Sequence, residues 1–151
     1  MGYTTEEGRL QILEDATAAV DELSIAIAAL GEAYEHLDES AGDRMEDEIF
    51  RPLQAGYGQL KRTLAEFAQR SGLPGRSFAS APVTAPEDPR ASLEHAADAI
   101  QTADEMLAEL QDSLLPVEVG DQQLRGGLSG TRSTIAPLPG RCDEFIRTLG
   151  R

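Results

Sequence analysis

Apolar residues recur at alternating steps of three and four along the first quarter of the chain, the spacing of one helix face. This stripe consists of Leu13, Ala16, Val20, Leu23, Ile27, Leu30, Tyr34 and Leu37. Thr4 and Glu7 are spaced as a capping box, so the pattern predicts a helix from Thr4 to Asp38. Such a helix is about 50 Å long, which is typical of a helical bundle.

Three further segments carry the same spacing, and they run from Phe50 to Phe67, from Leu93 to Leu114 and from Leu124 to Leu149. Prolines interrupt two of them, and proline removes a backbone N–H that a helix interior uses. We therefore expect a kink close to Pro52. We also expect a break near Pro137 and Pro139, with a last helix from about Pro139 to Leu149.

Turn residues divide the chain into two helical hairpins. The connection from Asp38 to Gly42 is short, which predicts an antiparallel second helix that begins at Ser40 or Gly42. That helix should stop at Gly72, and Asp88 followed by Pro89 is the start signal of a third. The sequence thus predicts one helical domain, with hairpins over 1–72 and 89–151 and a proline-rich linker over 73–88.

The two hairpins resemble each other. Residues 13–20 align with 93–100 at an offset of 80, and residues 50–67 align with 128–145 at an offset of 78. An internal duplication explains this alignment, and chance similarity between two Ala-, Glu- and Leu-rich helices is the alternative.

The charge distribution favours one arrangement of these helices. Helices 1 and 3 are acidic and helices 2 and 4 are mildly basic, since residues 1–50 hold 14 acidic and 2 basic residues. Placing helices 1 and 3 diagonally makes every lateral neighbour opposite in sign. The predicted fold is therefore an all-α, antiparallel, up-down-up-down four-helix bundle.

Composition argues against several partners. The formal charge of −14 repels nucleic-acid phosphates and anionic lipid surfaces, so we expect neither as a partner. The longest apolar run, Ile25 to Leu30, is too short to cross a bilayer. Cys142 is the only cysteine, no signal peptide is apparent, and we expect a cytoplasmic protein.

No catalytic or cofactor constellation is apparent. A di-metal centre needs Glu-x-x-His, but Ala33 and Ser92 stand three residues before His36 and His95. Both histidines fall on the outer face, where Glu32 with His36 could at most contact a metal weakly. Cys142 falls at a core position without a histidine beside it. In the glycine-rich segment 124–130, Gly126 and Gly130 indicate close helix approach, and a flexible helix is the alternative.

Some apolar residues lie off the stripes and indicate a surface for a partner. They are Ile12, Ile25, Ala29 and Met106. The leading hypothesis is a non-catalytic protein that acts by protein–protein interaction, as an adaptor, a chaperone-like partner or a homodimer. The alternatives are a metal-binding or di-metal bundle enzyme, and a small-molecule binder with a cavity near Tyr57 opened by the Pro52 kink.

Overall fold

The computed structural model describes residues 5–78, 81, 88–119 and 121–149. Helices cover 86% of these residues, and none of them is in a strand. The predicted all-α class is confirmed. Thr4 of the expected capping box lies outside the described residues.

Seven α-helices and one π-helical turn follow each other along the described chain. They are α1 (Thr5–Glu35), α2 (Glu39–Met45), a π turn (Glu46–Phe50), α3 (Arg51–Arg70), α4 (Pro89–Asp112), α5 (Leu115–Glu118), α6 (Gln122–Ile135) and α7 (Leu138–Leu149). The α2 helix, the π turn and α3 are continuous, so they act as one long second helix. The break expected at the later prolines is confirmed between α6 and α7, whereas the short helix α5 was not predicted.

Three aspartates cap helix N-termini in the same way. The carboxylates of Asp38, Asp88 and Asp121 each accept a hydrogen bond of 2.8 Å from the backbone N–H three residues on. The predicted cap at Asp88 is confirmed. The second helix begins at Glu39 rather than at Ser40 or Gly42, because Asp38 already satisfies its first free N–H groups.

The C-terminus of α3 is where the sequence predicts it. Gly72 takes a left-handed φ of 68°, and the N–H of Leu73 reaches back 2.9 Å to the carbonyl of Ala68. A glycine adopts this conformation without the steric cost that a Cβ brings.

A π turn precedes Pro52 in the second helix. Pro52 has no N–H to offer the carbonyl of Glu48, four residues earlier. Arg141 of α7 donates to that carbonyl instead, at 3.0 Å. The second helix therefore stays continuous, and the irregularity expected close to Pro52 lies over Glu46–Phe50.

The first helix buries two stripes rather than one. Ile12, Ala19, Ala26 and Ala33 are fully buried although they lie off the predicted stripe. The cause is that α1 packs against both α4 and α3, so two adjoining faces are covered. Within the predicted stripe, Ile27 and Leu37 are only partly buried and Tyr34 is 49% exposed.

The predicted diagonal placement of the acidic helices is wrong. Among the described elements, α1 makes its most extensive contact with α4, and α3 makes its own with α6. Exposed ion pairs contribute only about 0–1 kcal/mol each, so charge alternation is too weak to overrule the burial of Leu and Ala between α1 and α4.

Residue contacts give the directions of the long helices. The end of α3 meets the start of α6 through Arg70 and Asp121, at 2.7 Å. The start of α4 meets the end of α1, since Leu37 and Pro89 line one depression. Both pairs are antiparallel, while α3 and α4 run in the same direction.

The predicted up-down-up-down order is therefore wrong. In such a bundle α4 would begin beside the end of α3 and run antiparallel to it. Here α4 begins beside the end of α1, where Leu37 and Pro89 line one depression, and the second helix begins at that same end.

Candidate functional site

Two of the four residues predicted to form a partner surface are buried in the core. Ile12 and Ala29 are 0% and 2% exposed, so both belong to the core. Ile25 and Met106 are partly buried and pack against that core. The expectation that Ile12 and Ala29 are exposed is wrong because it assumed a single buried stripe on α1.

An apolar depression lies at the C-terminal end of α1, against the π turn. It has a volume of about 410 Å³. We call it the Tyr34 groove, and its lining residues are Gly31, Tyr34, Glu35, Met45, Glu46 and Phe50. Large apolar side chains form its floor, and carboxylates stand beside them.

The close approach of Tyr34 to Gly42 shapes one wall. A Cβ at position 42 would lie 3.1 Å from Cε2 of Tyr34, closer than side chains normally pack. Glycine therefore lets the ring approach the backbone of α2 closely while 49% of the residue remains exposed. An aromatic residue held against backbone with half of its surface in solvent loses little conformational entropy when a partner covers it.

The π turn shapes the opposite wall. The buried face of the second helix runs through Met45, Ile49 and Leu53, all 0–1% exposed, and Ile49 lies in the π turn. Phe50 lies beside these residues, is only partly buried and faces the groove. The N–H of Arg51 bonds to the carbonyl of Glu46, five residues back, which defines the π geometry. Such turns are frequent at functional sites in helical proteins.

The surroundings of the groove are strongly acidic. Residues 31–50 contain eight acidic residues and one basic residue, a net charge of −7 out of −14 for the whole chain. The next residue, Arg51, pairs with Glu46 at 3.9 Å and with Asp47 at 3.0 Å. The basic residue within 31–50, Arg44, is engaged elsewhere, since it lies 4.9 Å from the Phe145 ring and donates to Thr148. The last turn of α1 also has no basic residue to offset its carbonyl dipoles.

The histidines lie where the sequence places them, on the outer face. His36 is exposed, with Nε2 3.3 Å from a carboxylate oxygen of Glu32, and His95 is exposed on α4. Across the described residues, no three side chains of the metal-ligating types are grouped closely enough to hold an ion.

Cys142 is buried in the core, as its position in the fourth stripe predicts. Burial and the neighbouring charge of Asp143 raise its pKa to about 12. A thiol with this pKa is protonated near neutral pH and is a poor nucleophile.

The glycines of α6 are close to α3, but not the pair that the sequence predicts. A Cβ on Gly127 would collide with Thr63, and one on Gly130 would collide with Gln59. Gly126 faces open space, so its predicted role in helix approach is wrong. The register of α6 on α3 determines which glycines face α3, and this register cannot be read from the sequence spacing.

The expected cavity near Tyr57 coincides with a closely packed seam. Leu53 and Leu60 are fully buried beside it, and a Cβ on the adjacent Gly56 would lie 2.7 Å from Ile135. Lys61 lies over the Tyr57 ring at 4.3 Å. A depression near Pro52 is found instead at Phe50, seven residues before Tyr57.

Sequence reasoning missed the Tyr34 groove because Tyr34 and Phe50 both fit the apolar stripes. Gly42 was the available signal, since a glycine in a short helical segment indicates close approach by a neighbouring group. No helix in the described part of the chain has the length and apolarity needed to cross a bilayer. Comparison with family models, curated proteins and solved structures found no match.

Proposed function

We propose that this protein is a non-catalytic interaction protein that binds another protein in the Tyr34 groove. The observation that carries the proposal is the half-exposed Tyr34 ring, held on Gly42 beside Phe50 and Met45. Exposed aromatic side chains in apolar depressions are the usual anchors of protein interfaces.

The proposed scaffold is a four-helix bundle made of two similar hairpins, with all lateral neighbours antiparallel and one long crossover. Support comes from the contacts of α1 with α3 and α4, of α6 with α3 and α4, and of α7 with α4. The single, buried Cys142 is consistent with the cytoplasmic location that we expect. A rigid bundle suits an adaptor because it presents the groove without prior reorganisation.

Homodimerisation through this surface is less favoured than binding to a different protein. Two copies would bring two sets of the eight acidic residues of 31–50 together, and like charges across an interface oppose association. Leu10, Leu114 and Val117 are also exposed, but they lie at the opposite end of α1.

Site-specific photocrosslinking in the source cells tests the proposal. A benzophenone amino acid at Tyr34 should form a discrete adduct with another protein. The matched control places it at Ala65, an exposed position on α3 outside the groove. Light scattering of the purified protein, together with the adduct mass, identifies self-association.

An adduct specific to position 34, with a mass that differs from twice the chain, supports the proposal. Equal adducts from both positions, or none from position 34 in folded protein, contradict it. A dimer adduct from position 34 makes the groove a contact between copies and overturns the proposed heterologous partner.

A further inference from the structure

We infer that the partner of the Tyr34 groove is a cationic amphipathic helix, with apolar residues on one face and Lys or Arg on its flanks. This inference rests on the proposed function and specifies the chemistry of the partner. It is carried by the charge of the rim, the shape of the walls and a short helix that packs on the second hairpin.

The acidic residues around the groove favour a positively charged partner. Glu35 and Glu46 line the groove itself, and six further acidic residues lie within 31–50. Arg51 lies 3.9 Å from Glu46 and 3.0 Å from Asp47, so it offsets only part of this charge. The carbonyl end of the α1 dipole points to the same place, with Glu32 and Glu35 in its last turn. Acidic residues there are unfavourable for the isolated helix, and a bound cation relieves that repulsion.

The walls call for a helix. The groove lies between α1 and the α2–π turn segment, so both of its sides are helical and present ridges of side chains. A third helix packs its own ridge between two such helices and buries residues at i, i+3 and i+4. An added strand would require a free sheet edge, and residues 5–78, 81, 88–119 and 121–149 form no sheet.

The second hairpin supplies an internal precedent. Its loop holds α5, a short helix that packs against α1, α4 and α6 and buries Leu115 and Pro116. At an offset of 78, Leu124 and Leu128 correspond to Glu46 and Phe50, and both leucines are fully buried. The first hairpin has only the short turn 36–38 and no helix in this place, so its groove stays open.

Negatively charged partners fit poorly. Nucleic acids and anionic lipid surfaces meet the dense carboxylates of residues 31–50 and are repelled. The negative charge of these carboxylates should speed the association of a cationic helix. Contact with the apolar side chains of the groove should slow its dissociation.

Binding of a synthetic helix to the purified full chain tests the inference. The probe is an acetylated, amidated peptide of leucine and lysine with leucines at positions i, i+3, i+4 and i+7. Two control peptides are used, one with every lysine replaced by glutamate and one with the same composition in an order that is not amphipathic. Isothermal titration or fluorescence anisotropy gives Kd at low and at physiological ionic strength.

Paired variants locate the binding. Glu35→Gln with Glu46→Gln removes two groove charges, and Glu14→Gln with Glu66→Gln removes two exposed charges distant from the groove. The first pair should raise Kd for the lysine peptide by about tenfold, and the second by less than about twofold. Tyr34→Ser should also raise Kd by about tenfold, because it removes the aromatic anchor. Urea midpoints show that each variant is folded.

Preference for the amphipathic lysine peptide, with loss confined to the groove variants, supports the inference. Equal loss from both glutamate pairs shows only net-charge attraction and overturns it, as does equal binding of the glutamate peptide. Absence of any binding by folded protein also overturns it.

The crosslinking result separates this failure from that of the proposed function. An adduct from position 34 that maps to an acidic or extended segment leaves a protein partner in place but removes the cationic helix. Absence of a specific adduct contradicts the proposed function whatever the peptides do.

Discussion

The second helix of the first hairpin and the α6–α7 pair of the second hairpin share five buried positions when one is shifted by 78 residues onto the other. The buried pairs are Leu53 with Thr131, Leu60 with Leu138, Leu64 with Cys142, Phe67 with Phe145, and Ala68 with Ile146. Each hairpin therefore presents a similar apolar ridge to the shared core, even though one ridge is continuous and the other is broken before Leu138.

Contacts between the hairpins repeat under the same shift. Arg70 meets Asp121 at one end, and Arg44 meets Thr148 at the other. By the same offset, Asp121 corresponds to position 43 and Thr148 to position 70. The near-reciprocal contacts fit the proposed duplication, in which two similar hairpins pack as two copies of one subunit would.

The hairpins differ in their loops. The two helices of the second hairpin are joined by a loop that contains α5, which packs on that hairpin. The helices of the first hairpin are joined by the short turn 36–38. Only the first keeps a depression with an exposed tyrosine and a concentration of carboxylates. The two hairpins therefore share the buried positions that form the core. The Tyr34 groove belongs to the first hairpin alone.

The largest expected effect tests the shared ridge. Phe67→Ala and Phe145→Ala should each lower the free energy of unfolding by about 3–5 kcal/mol, because both rings are at most 2% exposed. The Phe145 variant should lose slightly more, since Arg44 lies over that ring. Urea denaturation measures both, with Arg62→Ala on the exposed face as the control. A loss below about 1 kcal/mol at either phenylalanine would break the equivalence of the ridges.

Two neighbouring glycines of α6 sharpen the comparison with effects of opposite sign. Gly127→Ala places a Cβ against Thr63, whose hydroxyl is fixed by a 2.8 Å hydrogen bond to the carbonyl of Gln59. We expect a net loss of about 1–2 kcal/mol from overpacking. Gly126→Ala faces open space and should gain about 0.5–1 kcal/mol from helix propensity. Thermal and urea unfolding measure the difference, and two variants of the same sign would refute the α3–α6 register.

Local signals in the sequence predicted a large part of this architecture. The cap at Asp88, the stop at Gly72 and the break between Ile135 and Leu138 depend on residues close in sequence. Such features are set by backbone chemistry that no tertiary contact has to supply.

Features that depend on distant partners could not be predicted. The Glu48 carbonyl, which lacks its helical partner because Pro52 has no N–H, accepts a hydrogen bond from Arg141, 93 residues away. Ile12 was taken for a surface residue because periodicity does not reveal how many neighbours cover a helix. The groove combines Tyr34, Gly42 and Phe50 from separate segments, each of which resembles ordinary core or turn sequence.

The contact between Arg70 and Asp121 gives a smaller effect with a pH signature. Burial raises the pKa of Asp121, but hydrogen bonds from Arg70 and the Leu124 N–H outweigh it, so the pKa is lowered. Asp121→Ala should cost about 1–2 kcal/mol, and Asp121→Asn less, since asparagine still caps α6. Asp38→Ala, which removes a cap without this ion pair, should cost about 1 kcal/mol.

The sign of the pH dependence follows from the lowered pKa. The ionised carboxylate stabilises the folded state above the ordinary aspartate pKa, and this stability is lost as pH falls through the lowered folded value. The gap between wild type and Asp121→Ala should therefore shrink from about pH 5 towards about pH 2, in urea midpoints taken at each pH. A gap independent of pH would mean that the ion pair does not stabilise this end.

The smallest effect concerns the feature that most separates the two hairpins, the π turn beside the groove. Arg141→Ala removes the donor to the Glu48 carbonyl and should cost about 1 kcal/mol, because Pro52 leaves that carbonyl without its helical N–H. Pro52→Ala restores an N–H at that position, so Arg141→Ala should cost less in this background. A double-mutant cycle measured by urea denaturation should give a coupling of about 0.5 kcal/mol or more. Additive effects would mean that Arg141 stabilises α7 independently of Pro52, and the continuity of the second helix would then need another cause.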